Sequence, residues 1–126
     1  MLAAMGCGAF GQRTYKHITV IQADSLINSK LDSSLVILDV RTPAEFEKGH
    51  LQNAVLVNFL KRGFRKNLSK LDKEKTYLVY CRTGGRSAKT LKKMKRRRFR
   101  EAYNMLGGIR DWTNRGYDIV VNEKKN

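Results

Sequence analysis

Cys81, Arg82, Thr83, Gly84, Gly85, Arg86 and Ser87 read CRTGGRS, and their types and order suit nucleophilic thiol chemistry. A cysteine reacts as the thiolate, which needs positive potential and hydrogen-bond donors around it. Gly84 and Gly85 let successive backbone N–H groups turn inward without a steric penalty. Inward N–H groups ahead of a helix form an anion-binding concavity, and Arg82 and Arg86 add full charges. The expectation is a small cradle with a nucleophile at its edge. It would hold a sulfonate-like, phosphate-like or arsenate-like group, or the terminal sulfur of a persulfide. A cysteine after an apolar strand is ordinarily a small buried hydrophobe. Here two glycines, two arginines and a switch from strand to helix stand together, and that combination points to chemistry.

The elements that must position this loop flank it directly. Thr76–Tyr80 is a β-rich run that ends at Cys81. From Ser87 the apolar residues Ala88, Leu91 and Met94 recur every three positions, which predicts a helix with one buried stripe. Upstream, Tyr15–Ile21 reads as a first strand, and Asp24 or Ser25 as the cap of a helix running to about Leu31. A turn at Asp32–Ser34 precedes the apolar run Leu35–Asp39, a buried parallel strand ending in an acid. Thr42, Pro43 and Glu45 form a capping-box pattern opening a helix that Gly49 ends, with Phe46 expected to face the core. Ala54–Asn58 reads as a third strand, preceded by Asn53, a residue that tolerates left-handed backbone. Phe59–Asp72 is a basic, partly helical connection. Ala102–Leu106 is the last strand. Gly107-Gly108 then turns into a short helix carrying Asp111 and Trp112, the latter a core anchor. Alternating strands and helices predict an α/β domain with a mostly parallel sheet and helices on both faces.

The 126 residues suit one domain, with boundaries at 14–121 between a leader (1–13) and a polar tail (122–126). Twenty-six basic against 11 acidic residues give a formal net charge of +15, which attracts anions at long range. Small anionic donors, nucleic acid, an anionic membrane and an acidic protein all fit that field. The stretch Lys89–Arg100 holds eight basic residues and is either a solvated helix face or a second, non-catalytic contact with RNA, DNA or phospholipid. The two cysteines, Cys7 and Cys81, imply no disulfide framework and no C-x-x-C redox pair. His17 and His50 have no third ligand at suitable spacing, so no metal site is expected. No run reaches the ~20 apolar residues of a membrane span. Met1–Gln12 is uncharged and ends in small residues. It is read as the remnant of an export signal on a bacterial extracytoplasmic protein, with a plain leader on a cytoplasmic protein as the other reading.

CRTGGRS resembles the active-site loop of the rhodanese family, the single-domain sulfurtransferases. LDVRTPAEFEKGHLQNAVLVNF (Leu38–Phe59) and EAYNMLGGIRDWTNRGYDIV (Glu101–Val120) match as well, so the resemblance covers about residues 15–121. It implies a three-layer sandwich around about five strands with no metal or organic cofactor required, and a monomer is expected. It implies that Cys81 takes a sulfane sulfur from a donor such as thiosulfate and passes it to cyanide or another thiol. Arg82 through Arg86 would shape the anion pocket, with the donor over the loop amides and Arg86. Asp39 and Arg41 would pair beneath the loops, direct donor contact by Arg41 being the alternative. His50 would hold loop backbone, and the Gly-Gly-x-x-x-Trp element ending at Trp112 would pack beside the loop. Arg62 and Arg65 would steer the donor, or simply form a solvated basic face. Four residues separate Cys81 from Arg86. Related phosphatases and arsenate reductases have one more, and no leaving-group acid stands out here, so those activities are the minor reading. A persulfide carrier or a basic adaptor serving a protein partner is the main rival. The chain departs from the family pattern at Asn53, in lacking a proline after the third strand, and at Arg98, where a glycine is usual.

Overall fold

The computed structural model describes residues 12–29 and 34–121. The leader with Cys7, the polar tail, and the stretch around Leu31 and Asp32 lie outside the described residues. Five strands form one sheet: β1 (Thr14–Ile18), β2 (Leu35–Asp39), β3 (Val55–Leu56), β4 (Thr76–Tyr80) and β5 (Glu101–Met105). Their order is β1-β5-β4-β2-β3, and every pairing is parallel. The helices are α1 (Val20–Ser29), α2 (Pro43–Lys48), α3 (Phe64–Ser69), α4 (Gly85–Arg96) and α5 (Gly108–Asn114). None is long and apolar enough to cross a membrane.

β4 is the central strand and all five of its residues are buried, as expected where helices cover both faces. Its side chains alternate between two cores. Tyr77, Val79 and then Cys81 pack with Leu68 of α3, Leu91 and Met94 of α4, and Phe99. Leu78 and Tyr80 pack with Val20 and Ala23 of α1 and with Ile109 and Trp112 of α5. The result is three layers, with α3 and α4 on one face and α1 and α5 on the other. Burying a side chain such as Leu91 or Met94 contributes about 2 kcal/mol.

The topology fixes where a site can form. The chain leaves β2 towards β3 and leaves β4 towards β5, in opposite directions. The crevice between the carboxyl ends of β2 and β4 is therefore a topological switch point, where open α/β sheets bind ligands. Val40 N–H donates to the Tyr80 carbonyl at 3.1 Å and holds the two loop starts together.

The expected elements are present, with shifted bounds. The first strand stops at Ile18, and Val20 and Ile21 belong to α1 rather than to the strand. The cap is Thr19, not Asp24 or Ser25. Gln22 N–H donates to Thr19 Oγ1 at 3.2 Å, and Thr19 N–H donates to Gln22 Oε1 at 2.9 Å. That reciprocal cap and the full burial of Val20 and Ala23 override the β preference of Val20 and Ile21. β3 shrinks to two residues, and α4 starts at Gly85. Phe46 is only half-buried; its ring lies flat on His50, with centroids 3.7 Å apart.

Two of the three sequence departures are absorbed by left-handed backbone, at Asn53 (φ 66°) and Arg98 (φ 63°). At Arg98 the end of α4 closes as a Schellman turn. Phe99 N–H reaches the Met94 carbonyl (3.2 Å) and Arg98 N–H the Lys95 carbonyl (3.1 Å). A residue with a Cβ costs about 1 kcal/mol in this conformation. Arg98→Gly should therefore raise stability by about 1 kcal/mol, read as a higher urea midpoint at unchanged slope.

Candidate active site

Cys81 follows β4 directly and is 1% exposed. Gly84 N–H donates to its Sγ at 3.1 Å, and the Ser87 hydroxyl lies 3.4 Å from the same atom. Gly84 takes φ +110°, a backbone that side-chain-bearing residues rarely adopt, so the glycine is what brings its N–H onto the sulfur. Burial pushes the Cys81 thiol up. The hydroxyl and N–H of Ser87, then the N–H groups of Gly84 and Thr83, pull it down and prevail, leaving the thiol below its ordinary value. Gly85 opens α4, so the free N–H groups of a helix start also face this point.

Peptide groups that turn their N–H inward turn their carbonyls away, and those carbonyls need partners. The start of α5 supplies them. Ile109 N–H donates to the Cys81 carbonyl at 3.0 Å and Arg110 N–H to the Arg82 carbonyl at 3.1 Å. The approach is close enough to demand Gly108, where an added Cβ would stand 2.4 Å from both carbonyl oxygens at φ +59°. Trp112 holds α5 in place. It is buried, its Nε1 donates to the Asp118 carbonyl at 2.9 Å, and its ring packs on Tyr117 at 4.6 Å.

Beneath the loop, Asp39 and Arg41 form a buried fork. Arg41 Nη2 donates to Oδ2 at 2.7 Å and Nε to Oδ1 at 3.0 Å, while Arg41 N–H also reaches Oδ1 at 2.9 Å. Arg41 Nη2 further donates to the Gly49 carbonyl at 2.6 Å, tying the end of α2 to β2. His50 Nδ1 lies 2.9 Å from the Phe46 carbonyl, an acceptor only, so the proton sits on Nδ1. The His50 backbone bridges Val120 in both directions, at 2.9 and 2.8 Å. The hydrogen bonds of Arg41 and His50 therefore fasten loop backbone.

Arg86 has a partner that the sequence reading did not give it. Its Nη1 and Nη2 donate to the two carboxylate oxygens of Glu45 at 2.8 and 2.9 Å. This pair, with Arg86 first among the causes, lowers the Glu45 carboxyl to about 2. The guanidinium fork is thus committed to α2, and its charge acts on Cys81 through space. The exposed cation of the loop is Arg82. It borders a cleft of about 400 Å³ together with Lys48, Arg110, Thr113 and Ile119, where the paired Arg41 and Glu45 also reach the wall. Arg62 and Arg65 are exposed and do not line this cleft; Arg65 stands on α3 beside Lys93 of α4. Lys48 and Arg110 were not singled out from sequence, because only the fold brings α2 and α5 to one cleft. His17 sits on β1 with Nδ1 3.0 Å from Asn104 Nδ2. Among the described residues no group of three His, Cys, Asp or Glu is placed to hold a metal.

The Glu45–Arg86 pair makes a testable contribution to stability. Glu45 titrates near 2 when folded and near 4.3 when unfolded. Its contribution is full above about pH 5 and is lost as pH falls through about 2. Glu45→Gln keeps a cap-competent side chain at the third helical position but loses the ion pair. It should cost on the order of 2 kcal/mol at pH 6, and the gap to the parent should narrow below about pH 4 and close as pH falls through about 2, as read by denaturant melts at each pH.

The rhodanese-like domain family matches residues 22–115. The thiosulfate sulfurtransferase GlpE of Coxiella burnetii is 33% identical over 98 residues, covering 78% of this chain and 87% of that protein. A sulfurtransferase of Allochromatium vinosum is 30% identical over 107 residues, covering 84% of this chain and 98% of that one. The crystal structure of a rhodanese-related protein from Thermoplasma volcanium superimposes with a TM-score of 0.74 at 26% identity, over 86% of this chain and 100% of the other. With its cysteine loop at the switch point of a parallel sheet and most of its length matched, the chain belongs to the rhodanese-like single-domain sulfurtransferase family.

Proposed function

We propose that the protein transfers sulfane sulfur from an anionic donor, thiosulfate or a chemical equivalent, to cyanide or a thiol through a persulfide on Cys81. The observation that carries this reading is the set of donors converging on Cys81 Sγ, from Gly84 and Ser87. They favour a sulfur anion at this atom before reaction, and the same loop favours the persulfide anion after it.

The Cys81 thiolate attacks the outer sulfur of thiosulfate. A new S–S bond forms, the old one breaks, and its electron pair leaves on sulfite. The acceptor then attacks the terminal sulfur of the persulfide, and the pair of that bond returns to Cys81 as thiolate. Each half-reaction balances without an outside oxidant or reductant. The loop donors hold the Cys81 thiol below its ordinary value, which favours the anion and lessens the need for a general base. Lys48, Arg82 and Arg110 around the neighbouring cleft raise the local concentration of anionic donors. Phosphatase chemistry is less well served: Glu45, the acid bonded to the loop arginine, titrates at about 2 and has no proton to give a leaving group.

Thiosulfate-to-cyanide turnover and intact mass after thiosulfate treatment test this reading on the same samples. The parent should gain the mass of one sulfur atom and show parallel-line, ping-pong kinetics. Cys81→Ser should lose the adduct and at least about a thousandfold in rate. An adduct with almost no turnover would favour a sulfur carrier instead. Absence of both would contradict the proposal.

A further inference from the structure

The α3–α4 side of the sheet carries charge that the sulfur chemistry does not use. From Phe59 to Leu71 and from Cys81 to Arg100 the chain contains no Asp or Glu. α4 buries Ser87, Thr90, Leu91 and Met94, which turns Lys89, Lys92 and Arg96 outward on its opposite side. Lys93 and Arg97 lie on the flank towards α3, where Arg97 Nε donates to Ser69 Oγ at 3.1 Å. Desolvation first, and then Arg65, Arg96, Arg97 and Lys89, hold the Lys93 ammonium below its usual value, so these cations crowd one another. The ion pairs formed among the described residues, Arg41–Asp39, Arg86–Glu45, Arg100–Glu101 and Arg115–Asp111, neutralise none of them.

We propose that the α3–α4 face, through Arg65, Lys89, Lys92, Lys93 and Arg96, binds the phosphate backbone of double-helical nucleic acid without reading its sequence. The row from Lys89 to Arg96 is about 10 Å long, and a duplex presents about six phosphate charges over that length. The planar guanidinium groups of Arg65 and Arg96 match phosphate oxygens in pairs. Phe64 and Phe99 are buried, so the face offers no aromatic platform of the kind that single strands stack on. The exposed residues of α3 and α4 are Lys, Arg, Ser and Gly, so neither helix offers an apolar face to a bilayer, and Leu60 ahead of α3 is a single exposed apolar side chain. A polyanion seated here relieves the mutual repulsion of the cations.

Anisotropy titrations of the full chain on a short mixed-sequence duplex, once as DNA and once as RNA, test the proposal. The partner probes are the corresponding single strands and phosphatidylserine vesicles. The variants are Lys92→Gln/Arg96→Gln on the face and Lys16→Gln/Arg115→Gln elsewhere, which remove equal charge. Five phosphate contacts predict a slope of log affinity against log salt of about −4.5, falling to about −2.7 in the face variant. The control should keep the parent slope, and sulfur transfer should be equal in all three, so weaker binding is not failed folding. Either duplex type bound in this pattern supports the proposal. Equal losses in the two variants, tighter binding to single strands or vesicles, or no duplex binding at low salt would overturn it.

Discussion

Cys81 Sγ sits where water barely reaches it, in a residue 1% exposed, so any charge on it has to be held by donors that the fold fixes in place. Burial alone favours the neutral thiol, and the loop reverses that preference with the N–H groups of Thr83, Gly84 and Ser87 and the Ser87 hydroxyl. Backbone donors suit the task because they carry no proton that titrates and no side chain that can swing away. Their orientation is set by peptide planes, and the planes are set by what the opposite ends bond to.

That requirement reaches through much of the domain. The carbonyls of Cys81 and Arg82 are turned outward and are met by the first N–H groups of α5. α5 can approach only because Gly108 has no side chain, and it stays in place through Trp112 and Tyr117. On the other flank, Arg86 and Glu45 link the start of α4 to α2. Asp39, Arg41 and the Gly49 carbonyl link α2 back to β2. The donors around Cys81 are local to one loop, while the geometry of that loop is the product of three helices and two strands.

The cysteine loop and the sheet were legible in the sequence because both depend on local signals. CRTGGRS places Gly84 where the inward N–H requires left-handed backbone, while Gly85 simply opens α4, and Leu35–Asp39 and Thr76–Tyr80 appear as strands at the expected residues. The start of α1 was misread because Val20 and Ile21 are β-branched. The T-x-x-Q pattern of Thr19 and Gln22 was the signal that could have corrected it. Glu45 was legible as a cap and illegible as the partner of Arg86, because 41 residues separate them and only the sheet order brings α2 to the loop. The same holds for Lys48 and Arg110 at the cleft. Arg98 was visible as a departure from a glycine pattern, and its left-handed backbone shows that the turn outweighs the side-chain preference.

The cradle works only if the loop donors outweigh burial at Cys81. The most direct measurement is a pH titration of thiolate ultraviolet absorbance in a chain carrying Cys7→Ser, so that Cys81 alone contributes. The midpoint should fall clearly below the value of about 8.5 for free cysteine. A midpoint at or above that value would mean that burial prevails, and the loop would not be the anion cradle described.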